Sequence, residues 1–201
     1  MGTAKFTSDG ILDAAAAILR ESGSASDVTI NAIARRLSAP SGSIYHRFDS
    51  RDELLARLWL RSVDRFHDAY LTAGRQEDPE DALLAMAKSV ASFTRDQPAD
   101  AVAMTLYRQH RLVRTAPPSC RAAVAEINTG VEKRLAELAA QRYPNPTKRH
   151  KILVRVAAID SPYGLVRPYV RDVVPEWLPS IIEASSRAVL ALGDDPAMLR
   201  N

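Results

Sequence analysis

The sequence predicts an all-α protein. Apolar residues recur at helical spacing over most of the 201 residues, and proline or glycine punctuates the stripes. No stretch alternates apolar with polar as a half-buried strand would. Two regions are expected: residues 1–52, built on a helix-turn-helix, and a larger helical region, 53–201.

The helix-turn-helix runs from Thr29 to Arg51. Thr29 is an N-cap, and Ile30, Ile33, Ala34 and Leu37 then share one side of a short helix. Ser38-Ala39-Pro40 interrupts it, because Pro40 has no amide proton and drives Ala39 out of the helical region. A second short helix, from about Ser41 to Arg47, is anchored by Ile44 and Phe48 alone. At about 100° per residue, Gly42 and His46 point away from those anchors, flanked by Ser43 and Tyr45. A thin helix that shows small and hydrogen-bonding groups outward suits a DNA major groove. Two helices and a turn also occur in all-α proteins that never touch DNA, so the flanks matter. Before the unit, Ile11, Ala15, Ile18 and Leu19 form an amphipathic stripe ending at Gly23. After it, Ser50-Arg51-Asp52-Glu53 reads as a capping box, and Leu54, Leu55, Leu58 and Trp59 open a longer helix.

Across residues 7–63 the chain resembles the TetR family of transcriptional regulators. The stretches that carry the resemblance are ILDAAAAILRESG, TINAIARRL and, most specifically, SGSIYHRFDSRDEL. Two positions depart from the family pattern: Ser38 stands where glycine is usual, and Pro40 where a small polar residue is frequent. The resemblance implies a ligand-responsive homodimer, most often a repressor, that binds a palindromic double-stranded DNA operator and is released by a small molecule. On the matching positions, Ser41, Gly42 and Ser43 would approach base edges, Tyr45, His46 and Arg51 would bind phosphates, and Thr29 would hold the first helix to the backbone. The alternative is an architectural DNA-binding dimer with no effector.

Composition agrees with this reading. The net charge is +3, and residues 29–51 alone carry the same excess, with Arg35, Arg36, Arg47 and Arg51 against Asp49. Cys120 is the single cysteine, so no intrachain disulfide can form and a cytoplasmic setting is expected. Neither a membrane span nor a signal peptide is legible. The first six residues read as a short arm with one cation, Lys5.

Beyond the first region, a helix from Arg51 to about Gly74 leads out of the reading unit and, by the resemblance, couples effector to DNA. Asp78-Pro79 restarts the helical pattern with an N-cap and a first-turn proline. A helix opened by Pro98 is expected to bury Val102, Leu106 and Val113 before Pro117-Pro118 ends it. Val124, Ile127, Val131, Leu135 and Leu138 mark the next. Pro162 should kink a helix running from Ile152 to about Val170. Leu178, Ile181, Ile182, Ser185, Val189 and Leu192 stripe the last one, with Ala184 and Ala188 allowing close approach. The resemblance makes these last two helices the dimer contact, with Ile182 and Val189 in it.

Enzyme motifs are absent: no phosphate-binding loop, dinucleotide fingerprint or nucleophile elbow occurs, and the four histidines are scattered. No catalytic residue, metal ligand or cofactor is expected. For an effector, Phe66, Tyr70, Phe93, Met104 and Tyr107 are candidates for an apolar wall, with Arg108, Arg111 and Asp160 as its polar groups. The same spacing suits an ordinary core with surface cations, and Asp160 would need a partner if buried.

Overall fold

The structure, a computed structural model, describes residues 6–195; Lys5 lies outside them. Among the described residues there are α-helices and short turns of 3-10 or π type, and no strand. Contacts gather the chain into two compact units. The first comprises residues up to 65 together with 98–127; the second comprises 66–97 and the residues from 128 onward. The expected division after residue 52 therefore falls near the start of a long helix, and a later segment joins the first unit.

In the first unit, α1 (Ser8–Ser22) begins where the Thr7 hydroxyl accepts the Gly10 amide and ends at left-handed Gly23. It buries Ile11, Ala15 and Leu19. α2 (Ile30–Leu37) is capped by Thr29, whose hydroxyl accepts the Ala32 amide at 3.1 Å. Ser38 then takes the left-handed conformation, φ 50°. For a residue with a side chain this costs roughly 1 kcal/mol, which a glycine would largely avoid. α3 (Ser41–Tyr45) is two residues shorter than expected, and Ile44 and Phe48 are buried as its anchors.

α4 (Arg51–Ala73) starts with a shifted capping box. The Ser50 hydroxyl accepts the Glu53 amide at 3.1 Å, but the Glu53 carboxylate reaches past Ser50 to the Asp49 amide at 2.7 Å. Arg51 folds back: its Nε donates to the Val28 carbonyl at 2.7 Å, and a terminal nitrogen donates to the Ala25 carbonyl. The start of α4 is thereby tied to the turn that precedes α2.

After α5 (Pro79–Asp96), which belongs to the second unit, three short helices in the segment 98–127 complete the first. They are α6 (Pro98–Ala103), α7 (Gln109–Thr115) and α8 (Arg121–Glu126). The single helix expected from Pro98 to Pro117 is broken at Tyr107 and Arg108, which are extended. The reason is packing. Met104, Leu106, Tyr107, Leu112 and Val113 all lie against one cluster that contains Ala56, Trp59, Leu60 and Val63 of α4. In one straight helix those five side chains would point around the whole circumference. The Trp59 indole N–H fixes the break by donating to the Met104 carbonyl at 3.2 Å. Asp100, buried, accepts the Ser62 hydroxyl at 2.6 Å and Arg65 at 3.1 Å.

The second unit holds the rest of α4 with α5, α9 (Thr129–Arg142), α10 (Lys148–Arg155), α11 (Ser161–Val166) and α12 (Leu178–Ala191). The kink expected at Pro162 is a π-turn, Val156–Asp160, in which the Ser161 amide bonds the Val156 carbonyl five residues back. Pro162 has no N–H to offer Ala158 or Ala157, four and five residues before it. Those two carbonyls are served from outside: the Tyr70 hydroxyl donates to Ala158 at 2.8 Å and the Ser186 hydroxyl to Ala157 at 2.7 Å. On α12, Ile182 is 0% exposed, so it belongs to the subunit's own core and not to a partner contact. Ile181, beside it, is 47% exposed.

Two outcomes follow from these bonds. Tyr70→Phe keeps the ring but orphans a buried carbonyl, and should cost about 1–3 kcal/mol in urea unfolding. Arg51→Ala should also lower the unfolding midpoint, because two charge-assisted bonds to carbonyls are lost, at about 1.5–3 kcal/mol each before relaxation. Arg51→Lys should recover only part of it, since one ammonium lacks the guanidinium fork.

Candidate nucleic-acid interface

α3 is closed by few bonds: the His46 amide donates to Gly42, and the Phe48 amide to Ile44 at 3.0 Å. Its inner side is Ile44; its outer side carries Ser41, Gly42, Tyr45 and His46, all exposed, with Tyr45 at 55%. Ser43 is half-buried, and its carbonyl accepts a guanidinium N–H of Arg47 at 3.0 Å. A Cβ built on Gly42 meets nothing within 4 Å. The fold itself therefore makes no demand for glycine at this position. Thr29 is exposed at the start of α2, with its hydroxyl already accepting one amide.

Of the seven residues expected at DNA, six lie on the exposed or half-exposed surface of α2 and α3. Arg51 differs. Two of its N–H groups are committed to the Val28 and Ala25 carbonyls, so its first role is to brace the unit. The other arginines of this stretch are also engaged, Arg35 apart. Arg36 makes a two-pronged pair with Glu21, 2.8 Å on each arm, which raises the guanidinium and lowers the carboxyl through that hydrogen bond. Arg35 is exposed.

Two residues outside the seven expected at DNA, Glu53 and Ser119, position this surface. Burial pushes the Glu53 carboxyl up, but the Asp49 amide, the Ser119 hydroxyl and Arg57 outweigh it and hold the group below the usual carboxylate range. Asp49 lies between α3 and α4, so an ionised Glu53 holds the chain just beyond the end of α3. Ser119, donating at 2.9 Å, ties the α7–α8 turn to the same carboxylate. The capping box was the sequence signal for Glu53; nothing local in the sequence marked Ser119.

The effector candidates are divided between the units. Phe66, Tyr70 and Phe93 meet in the second, with ring centroids 5.4 Å apart for Phe66–Tyr70 and 5.3 Å for Phe66–Phe93. Tyr70 is 1% exposed, and burial first, then the nearby Asp160 carboxylate, raises its phenol far above the ordinary value. Asp160 is not buried: its side chain is 50% exposed and lies 3.5 Å from Arg155. Met104, Tyr107, Arg108 and Arg111 belong to the first unit, where Met104 and Tyr107 pack on the α4 cluster and both arginines are exposed. Among the described residues no three His, Cys, Asp or Glu side chains converge as a metal set, and no helix is long and apolar enough to cross a membrane.

Residues 11–58 match the family of bacterial regulatory proteins, tetR family. No curated protein sequence matches the chain. Among solved structures, the fatty acid degradation regulator FadR from Bacillus halodurans is similar at 17% identity and TM-score 0.68, covering 92% of this chain and 98% of that one. The ketosteroid transcriptional regulator KstR2 of Mycobacterium tuberculosis is similar at 20% identity and TM-score 0.68, covering 94% and 96%. The TetR family transcriptional regulator PfmR from Thermus thermophilus is similar at 18% identity and TM-score 0.70, covering 90% and 97%. These likenesses establish the fold over nearly the whole chain, and residues 11–58, which contain the entire helix-turn-helix, match the tetR family of bacterial regulatory proteins.

Proposed function

We propose that the protein is a cytoplasmic, homodimeric repressor that binds a palindromic operator and is released by a small molecule. The observation that carries the DNA reading is the outer side of α3. A five-residue helix with its two apolar anchors buried presents Ser41, Gly42, Tyr45 and His46 outward, and open space surrounds Gly42. A backbone with no side chain can approach base edges closely. Ser41, Gly42 and Ser43 read bases in this proposal, while Thr29, Tyr45 and His46 contact phosphates; Arg51 contributes chiefly by holding α4 in place. Residues 1–52 supply the reading head, aided by the later segment that packs with it, and the remainder binds effector and dimerises.

Dimerisation rests on apolar side chains left exposed in the second unit. Ile152 on α10 is exposed, as are Ile181, Ala184 and Ala188 on the outer side of α12 and Leu192 just beyond it. Small residues allow two such helices to approach, and a two-fold dimer pairs two reading heads with two half-sites. The effector reading draws on the fatty acid degradation and ketosteroid regulators that share the fold. Phe66 and its aromatic neighbours are its candidate apolar wall, with Met104, Tyr107, Arg108, Arg111 and Asp160 as further candidates. The architectural reading without effector is favoured by one observation: Tyr70 is closed off, and its hydroxyl already serves the Ala158 carbonyl.

Gly42→Ala should leave unfolding unchanged or slightly shifted upward, as alanine favours helix by up to ~1 kcal/mol. Its affinity for an operator selected from random duplexes should fall, with the loss concentrated at one or two base positions per half-site. An equal affinity for selected DNA would remove α3 as the reading helix. A small-molecule library that shifts DNA affinity supports the effector, and one that never does supports the architectural dimer. Ile181→Glu should sediment as a folded monomer, whereas Ile182→Glu should unfold; a folded, fully dimeric Ile181→Glu would take α12 out of the interface.

A further inference from the structure

The cations of the helix-turn-helix and of the adjoining α4 are largely engaged within the chain. Arg36 pairs with Glu21, Arg57 with Glu53 at 2.8 Å, Arg61 with Asp13 at 2.9 Å and Arg65 with Asp100. Arg47 and Arg51 donate to carbonyls. A protein that binds duplex DNA must still neutralise phosphates.

The first unit holds another source of charge. From Ala101 to Ala125 the sequence contains four arginines, Arg108, Arg111, Arg114 and Arg121, one histidine and no acid. α7 is pinned by Leu112, buried, by Val113, packed on the α4 cluster, and by the Gln109 amide, which donates to the Val124 and Ala125 carbonyls at 3.0 and 3.1 Å. On the helical wheel these occupy one side, and Arg111 and Arg114 sit at the middle of the opposite, exposed one, with His110 beside them. Neither guanidinium takes part in a hydrogen bond or ion pair among the described residues. Like charges three apart on a helix disfavour it slightly, and no acid relieves them here. The turn after α7 is tied to the start of α4 through Ser119 and Glu53, and the Tyr107 phenol before α7 is close enough to Asp52 and Arg51 to feel both charges.

We infer that the exposed side of α7, centred on Arg111 and Arg114, is a second DNA-contacting surface that binds phosphates without reading bases. The inference rests on the reading of α3 as the DNA-binding helix and extends it. It moves Arg111 from the effector candidates to the DNA-binding unit. The paired arginines supply sequence-independent affinity, leaving sequence choice to α3.

The test is the salt dependence of binding by the full chain, using the selected operator and a scrambled duplex of equal length. Arg111→Ala with Arg114→Ala should weaken both duplexes by the same factor and lower the slope of log affinity against log salt by about 1.8. Between about 50 and about 200 mM salt, the wild-type loss of affinity should shrink by roughly tenfold in the variant. The paired lysine variant should restore most of the slope, because a phosphate accepts a point charge. A control that removes equal charge from exposed positions of the second unit, Arg75→Ala with Lys133→Ala, should keep the wild-type slope. A wild-type slope in the Arg111/Arg114 variant overturns the inference, as does an equal drop in the control. A variant that binds DNA normally but no longer responds to an effector would return Arg111 to an anionic-ligand site and also overturns it. Absence of DNA binding by the wild type would instead defeat the reading of α3, so the two failures are distinct.

Discussion

A helix of five residues cannot hold itself together in water, and the exposed surface of α3 depends on that constraint. Nucleating a helix fixes several residues for a single hydrogen bond, so α3 must take its shape from what surrounds it. Ile44 and Phe48 press it onto the core, and the Glu53 carboxylate holds the Asp49 amide just beyond its end. Arg51 then ties the first turn of α4 back to the carbonyls that precede α2. The outer side of α3 is left unburdened, which is why a glycine in open space can persist there.

The second unit solves a different problem with similar means. Pro162 deprives Ala157 and Ala158 of helical partners deep in a packed helix, where an orphaned carbonyl costs about as much as a lost hydrogen bond. A tyrosine from α4 and a serine from α12 supply the missing donors, and the helix accommodates a π-turn around the site. The proline thus links three helices chemically. Tyr70 has this office whether or not an effector also lies near its ring.

Grouping by contact changes how charge is read along the chain. By sequence order, the acid-free run around α7 belongs to the C-terminal region and suggests a ligand site. By contact it joins α1 to α4, because the cluster on Trp59 and Leu60 and the Ser119–Glu53 bond draw it there. Arginines in the helix-turn-helix are more engaged with their own chain than a count of charges implies, and those of α7 less so.

The sequence by itself determined the all-α class, the helix-turn-helix with its Thr29 cap and its Ile44 and Phe48 anchors, the Asp78-Pro79 helix start and the disturbance at Pro162. Each is a local matter: helical period, a capping side chain, a missing amide proton. Tertiary structure alone decided the break at Tyr107, the burial of Ile182 beside exposed Ile181, the exposure of Asp160 and the inward turn of Arg51. A stripe tells that a helix has an apolar side but not which of two neighbouring apolar residues lies at its centre. An arginine declares its charge in the sequence, but its partner, here a carbonyl 23 residues away, exists only once the chain has folded.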